Sequence, residues 1–397
     1  MKKYFSVAVW FWVVVAFYGY LLRQYSYSGL SFIKDYSNWL HAHSHAAFLG
    51  WLHAGFSLLL AYILFPAFSK SRTFGRLYFF MQLLVAGMLL SFPIQGYKAI
   101  SITLLSIFLL GTYYYAYLVF KKNEYASQYP ATTAFAKTGV IFMILSSLSP
   151  WLLGPIMVFL GKQSIWYNLD VYFYLHFQYN GWFFMAMMTL IIYLFEKKGI
   201  RIPQKIWKKA LFWLFIGIFW GYITNTLWTS PSLIFNFIAL LSVLAEAWGL
   251  WIIINYLRRH YEILQFNNNQ TLIAKWLLFA LIVKVVLQFL ASCPYYAHLA
   301  YTVRDLIIGY LHWVMLALFS IAILFLADYL KIFKLHWRSF LIYFYGMMFM
   351  ILWIWLRGIL IWQKININDW INLILVWASF WTFTGVLLIA INGNKKI

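Results

Sequence analysis

Twelve apolar runs follow one another along this chain, most of them close to the roughly 20 residues that one bilayer crossing requires. They cover residues 5–22, 43–65, 77–92, 99–120, 138–160, 171–195, 210–227, 233–256, 272–290, 306–330, 340–360 and 370–391. The third is short, and the fifth is interrupted by Pro150 and Pro155. A chain that is 64% hydrophobic and only 10% charged is excluded from the soluble globular class. The expected fold is therefore all-α, a polytopic membrane bundle of about twelve transmembrane helices. No connection is long enough to fold separately, so residues 1–397 are expected to form a single integral-membrane domain.

The formal charge of +21 is explained by the basic residues between the runs, which bias such segments to the cytoplasmic side. With a cytoplasmic N-terminus, 22 of the 30 basic residues fall on the inner side, from Lys2 and Lys3 through Lys395 and Lys396. The expected location is a bacterial inner (cytoplasmic) membrane, multi-pass, with both termini cytoplasmic. Lipid is the expected surrounding partner, and nucleic acid is not. Met1-Lys2-Lys3 and the run after it resemble a signal peptide, but the run is as long as a span and lacks a small-residue cleavage site. It is read as a retained first helix. The single cysteine, Cys293, excludes an intrachain disulfide and any cysteine-ligated zinc or iron–sulfur centre.

Chemistry must then rest on histidine. "WLHAHSHAAFLGWLHAGF", Trp39 to Phe56, puts His41, His43, His45 and His53 at the opening of the second run. Ionisable groups in such segments default to a functional role. His176 lies about two turns into the sixth run and His312 about two turns into the tenth, so three separate helices present histidine at similar depth on the outer side. His298 precedes the tenth run. On one helix His41 and His45 share a face and His43 points nearly opposite, unless the helix begins after His41. Neutral imidazole is the usual axial ligand of haem iron, and acidic haem substituents need cations. Arg304, Arg357 and Lys364 fall on that side. Tyr179 is a candidate partner of His176. Glu246 and Lys284, inside the eighth and ninth runs, are either a structural pair or part of a proton path.

Three of these stretches resemble the haem-copper oxidase subunit I superfamily, which includes cytochrome oxidases and nitric-oxide reductases: "HSHAAFLGW" (His43 to Trp51), "YLHFQYNGWFF" (Tyr174 to Phe184) and "RDLIIGYLHWVMLALF" (Arg304 to Phe319). The resemblance covers essentially the whole chain in helix number and order. It implies His43 and His312 as the axial pair of one low-spin haem b, and the outer-side cations Arg304 and Arg357 are the candidates for its acidic substituents. His176 would hold the position of a copper ligand, joined in a rebuilt site by His45 or His298, so copper is a possible second cofactor; His41 and His45 are otherwise outer-surface polar residues or part of a second metal site. The chain departs from the family where Tyr310 stands at the first position of the tenth-helix pair, and where the seventh helix carries no histidine. A complete haem-copper catalytic centre is not expected.

The expected function is a membrane haem protein concerned with electron transfer or with a diatomic gas such as O2 or NO, and hence a possible oxidoreductase. An electron-donor protein or partner subunit is implied. The alternative is an outer-surface copper- or zinc-handling membrane protein, or a transporter, using His41, His43 and His45. Which of His43 and His45 is the haem ligand is left open.

Overall fold

A computed structural model of the chain describes residues 1–366 and 369–393, and among them there are helices and no strands. Eleven helices among the described residues are long and apolar enough to cross a membrane. The first five are α1 (Lys2–Ser28), α2 (Tyr36–Leu64), α3 (Arg72–Gln95), α4 (Ala99–Lys121) and α5 (Pro130–Phe159). The sixth predicted span is also helical: Ile165–His176, Phe177–Phe183 and Phe184–Lys197 run on without a break, and we call this α6. Asp170, His176, Gln178 and Asn180 dilute its apolarity, which sets it apart from the eleven. Then come α7 (Gln204–Thr229), α8 (Leu233–Arg258), α9 (Asn268–Ala291), α10 (Arg304–Tyr329), α11 (Trp337–Trp362) and α12 (Asp369–Gly393). Every apolar run lies within one of these helices to within a residue. Lys395 and Lys396 lie outside the described residues.

The helix ends are set by short polar signals. Asp35 caps α2 by accepting from the N–H groups of Ser37 and Asn38, Ser71 caps α3, and Asn267 with Gln270 forms a capping box at α9. Each satisfies amides that a helix start leaves without partners. Glu196 does the same from a distance: its buried carboxylate accepts from the N–H groups of Ala131 and Thr132 and from the Thr132 hydroxyl, at 3.2, 2.9 and 2.6 Å. A carboxylate at a helix N-terminus is also favoured by the helix dipole.

By their contacts the residues fall into two compact units: Met1–Tyr62, Pro66–Gly111 and Val303–Ile397 form the first, Ile63–Phe65 and Thr112–Thr302 the second. In the first unit α11 and α12 approach closely because Gly346 faces the backbone of Thr382 and Gly385 faces that of Tyr343. In the second, α7 and α8 meet at Gly217, against the backbone of Glu246, and at Gly249, against Ala210 and Leu214. Small residues that let backbones touch are the usual contact between helices in lipid, where no hydrophobic force drives association.

Among the described residues three helices contain a π turn, and each turn begins at the residue after a histidine. Ala46–His53 follows His45, Phe177–Phe183 follows His176, and Trp313–Ser320 follows His312. Such turns occur frequently at functional sites, and nothing in the apolar pattern announces them.

Candidate functional site

The cap at Asp35 starts α2 at Tyr36, so His41, His43 and His45 all lie on one regular helix. His41 and His45 consequently share a face. The His45 ring stacks on Phe92 at 4.6 Å and its Nε2 is 2.7 Å from the Tyr97 hydroxyl. His41 packs edge-on against Tyr97 at 4.7 Å and its Nε2 lies 3.3 Å from the Ser37 hydroxyl. His43 projects the other way, toward α1. There its Nδ1 donates to the carbonyl of Val15 at 2.9 Å, and Gly19 leaves room for the ring: a Cβ at that position would sit 3.1 Å from His43 Cε1.

His312 is held through the same ring nitrogen, but within its own helix. Its Nδ1 donates to the carbonyl of Ile308 at 2.7 Å. A carbonyl oxygen only accepts, so in both rings Nδ1 holds the proton and Nε2 carries the lone pair. No described residue hydrogen-bonds to Nε2 of either ring. Imidazoles that bind metal are held in this way, oriented by the nitrogen that does not ligate.

The helices carrying the two rings run side by side in the same direction. Trp51 Nε1 donates to Ser320 Oγ at 2.8 Å, Phe56 packs edge-on to Phe319 at 5.9 Å, and Gly55 faces Ile323. Trp51 and Ser320 each lie eight residues after their histidine, which places His43 and His312 at matching depth, and the two rings are within electrostatic reach of each other.

Two arginines complete the site. Arg357 is bound by Asp305, with Nε to Oδ2 at 2.6 Å and Nη2 to Oδ1 at 2.8 Å, and its Nη1 donates to Asn372 Oδ1 at 2.7 Å. Arg23 on α1 is within electrostatic reach of Arg357, Asp305, His43 and His312. It makes no hydrogen bond or ion pair with a described residue, although it is largely buried. A guanidinium so placed is costly unless an anion meets it. The sequence reading passed over Arg23, Asp305 and Asn372. The available signal was a lone cation at the end of an apolar run, one residue past Leu22.

The remaining candidates do not converge on this site. Arg304 and His298 are exposed, and His298 belongs to the second unit. His176, also in the second unit, has both ring nitrogens engaged: Nε2 donates to the Ile218 carbonyl at 2.7 Å, and Nδ1 accepts from Asn225 at 2.9 Å and from Asn180 at 3.2 Å. Tyr179 is buried. Lys284 and Glu246 form a buried ion pair at 2.8 Å, and Gln288 takes a second proton of the ammonium at 2.8 Å. Among the described residues no group of three or more His, Cys, Asp or Glu side chains is arranged to hold a metal ion, and His43 points away from the face that His41 and His45 share. No family model and no curated protein matches this chain.

Proposed function

We propose that the first unit binds one haem b between His43 and His312 and that the protein carries electrons within the membrane. One observation supports this above the others: two imidazoles at equal depth on parallel helices, each fixed through Nδ1 to a backbone carbonyl and each with Nε2 free. Facing histidines of this kind clamp an iron from both sides. Arg23, and the donors of Arg357 that Asp305 and Asn372 leave over, would meet the acidic substituents of the macrocycle. The aromatic floor of Trp12, Trp51 and Tyr343, all fully buried, would pack against its apolar edge and keep water away. Haem supplies one-electron redox chemistry. The protein's part is to orient the two ligands, to balance charge and to exclude solvent. Were both imidazoles to hold the iron, no position would be left for a gas, which favours electron transfer over gas binding.

The same reading puts both termini on the cytoplasmic side of a bacterial inner membrane, on the strength of the basic connections. Electrons would enter from a donor protein, a partner subunit or a membrane-soluble carrier.

The test is a reduced-minus-oxidised spectrum of the detergent-purified protein, with a pyridine haemochrome assay on the same sample. Sharp b-type bands at about one haem per chain are expected, with no spectral change on adding carbon monoxide. His43→Ala and His312→Ala should each abolish the bands, while His41→Ala and His45→Ala should keep them. Absence of haem from protein made with ample haem supply would overturn the proposal.

A further inference from the structure

Below the two histidines, α2 and α10 share a construction. In α2 the π turn Ala46–His53 begins three residues after His43, and in α10 the π turn Trp313–Ser320 begins directly after His312. A helix containing a π turn needs one extra residue to complete two turns. The residue that returns beneath the ligand is then the eighth onward, where an uninterrupted α-helix would bring back the seventh. Eight residues after His43 is Trp51, and eight after His312 is Ser320. These two side chains are hydrogen-bonded across the helices, by the 2.8 Å bond from Trp51 Nε1 to Ser320 Oγ.

Both partners are held in place. The Ser320 hydroxyl donates to the Met315 carbonyl at 2.8 Å, five residues back, so its proton is spent on its own helix and a lone pair faces the indole. Trp51 stacks on Trp12 at 4.6 Å with rings 5° from parallel. Trp12 in turn packs edge-on against Tyr343 at 4.8 Å, and the Tyr343 hydroxyl donates to the Leu316 carbonyl at 3.0 Å. Trp51 is 1% exposed and Ser320 0%, so water does not compete for the bond.

We infer that Trp51 and Ser320 are positioning residues for the axial pair, resting on the haem reading above. Their bond fixes the register and rotation of α2 against α10, and with them the angle between the two imidazole planes. Neither side chain touches the iron. The two π turns rotate a Trp and a Ser to the point where one hydrogen bond holds both ligand-bearing helices.

The experiment uses the full-length chain with Ser320→Ala, Trp51→Phe and the conservative Ser320→Thr. In haem-loaded protein, Ser320→Ala and Trp51→Phe should retain haem but shift the low-spin ferric EPR signal. They should also change the ferric–ferrous equilibrium by up to about tenfold, which for a one-electron couple is ~59 mV, and Ser320→Thr should restore both. Haem-loaded variants with the wild-type signal and potential would overturn the inference and leave the haem proposal intact. A second readout needs no haem. Spin labels at Leu40→Cys and Arg304→Cys, in a Cys293→Ser background, report the distance between the ligand ends of α2 and α10. Ser320→Ala should broaden a narrow distribution. A broadened distribution in protein that never binds haem would keep the clamp and overturn the haem reading, and an unchanged one would overturn the clamp.

Discussion

Two side chains of the same type behave differently in this protein because of what surrounds each nitrogen. His176 is saturated by one carbonyl and two amides, so its replacement by Ala is expected to lower stability and leave haem content unchanged, measured by thermal unfolding and by pyridine haemochrome. His43 and His312 are each held through one nitrogen only. Arg23 follows from the same logic. Arg23→Gln removes the one site cation with no described partner, and haem should be lost to apomyoglobin about tenfold faster, the equivalent of one charge-assisted hydrogen bond at roughly 1.4 kcal/mol. Equal loss rates in the two proteins would remove Arg23 from the site. At the Lys284–Glu246 pair, Lys284→Met strands a buried carboxylate and should cost about 3–5 kcal/mol, whereas Lys284→Met with Glu246→Leu should cost far less. Denaturant titration of the single and double variants separates these outcomes, and equal losses would mean the pair is not coupled.

Helices in this chain are positioned against one another by small residues and by irregular turns. Gly19 on α1 is the clearest case, because a side chain there meets the His43 ring. Gly19→Val should therefore displace the imidazole and lower haem content several-fold, while Gly154→Val on α5, where a Cβ meets nothing within 4 Å, should not. Comparable loss in both would point to general misfolding. The existence of each helix was legible from the spacing of apolar residues alone. So was the opposition of His43 to His41 and His45, once Asp35 fixed where α2 begins. The π turns were not legible: bonding five residues back in place of four changes no residue type, and the pattern of "HAAFLGWLH" fits either winding. That winding brings Trp51 to Ser320, and it is sustained by contacts with other helices.

On the scale of the whole molecule, the lone cysteine decides between two topologies. If α6 crosses the membrane, twelve spans and a cytoplasmic N-terminus put exposed Cys293, just after α9, on the outer side. If only the eleven more apolar helices cross, the parity reverses. Cys293 then faces the cytoplasm, and the basic connection from Lys197 to Lys209 is exported against the usual charge bias. A membrane-impermeant maleimide is expected to label Cys293 in intact cells, and labelling only after lysis would favour the eleven-span arrangement. By itself the sequence determined that this protein lives in a membrane, is all helical, and which stretches the helices cover, because burial in lipid is read from neighbouring residues along the chain; it did not fix the starts, since α2 and α5 begin seven and eight residues before the apolar runs at 43 and 138. The tertiary structure alone decided that Trp51 meets Ser320, that Arg23 comes within electrostatic reach of His43 and His312, that Asp305 holds Arg357, and that the contacts divide the chain into two units. Those outcomes depend on residues as far apart as Val15 and His43 or Trp51 and Ser320 meeting in space, and helix periodicity sets only the direction a side chain leaves its own helix, never what it finds there.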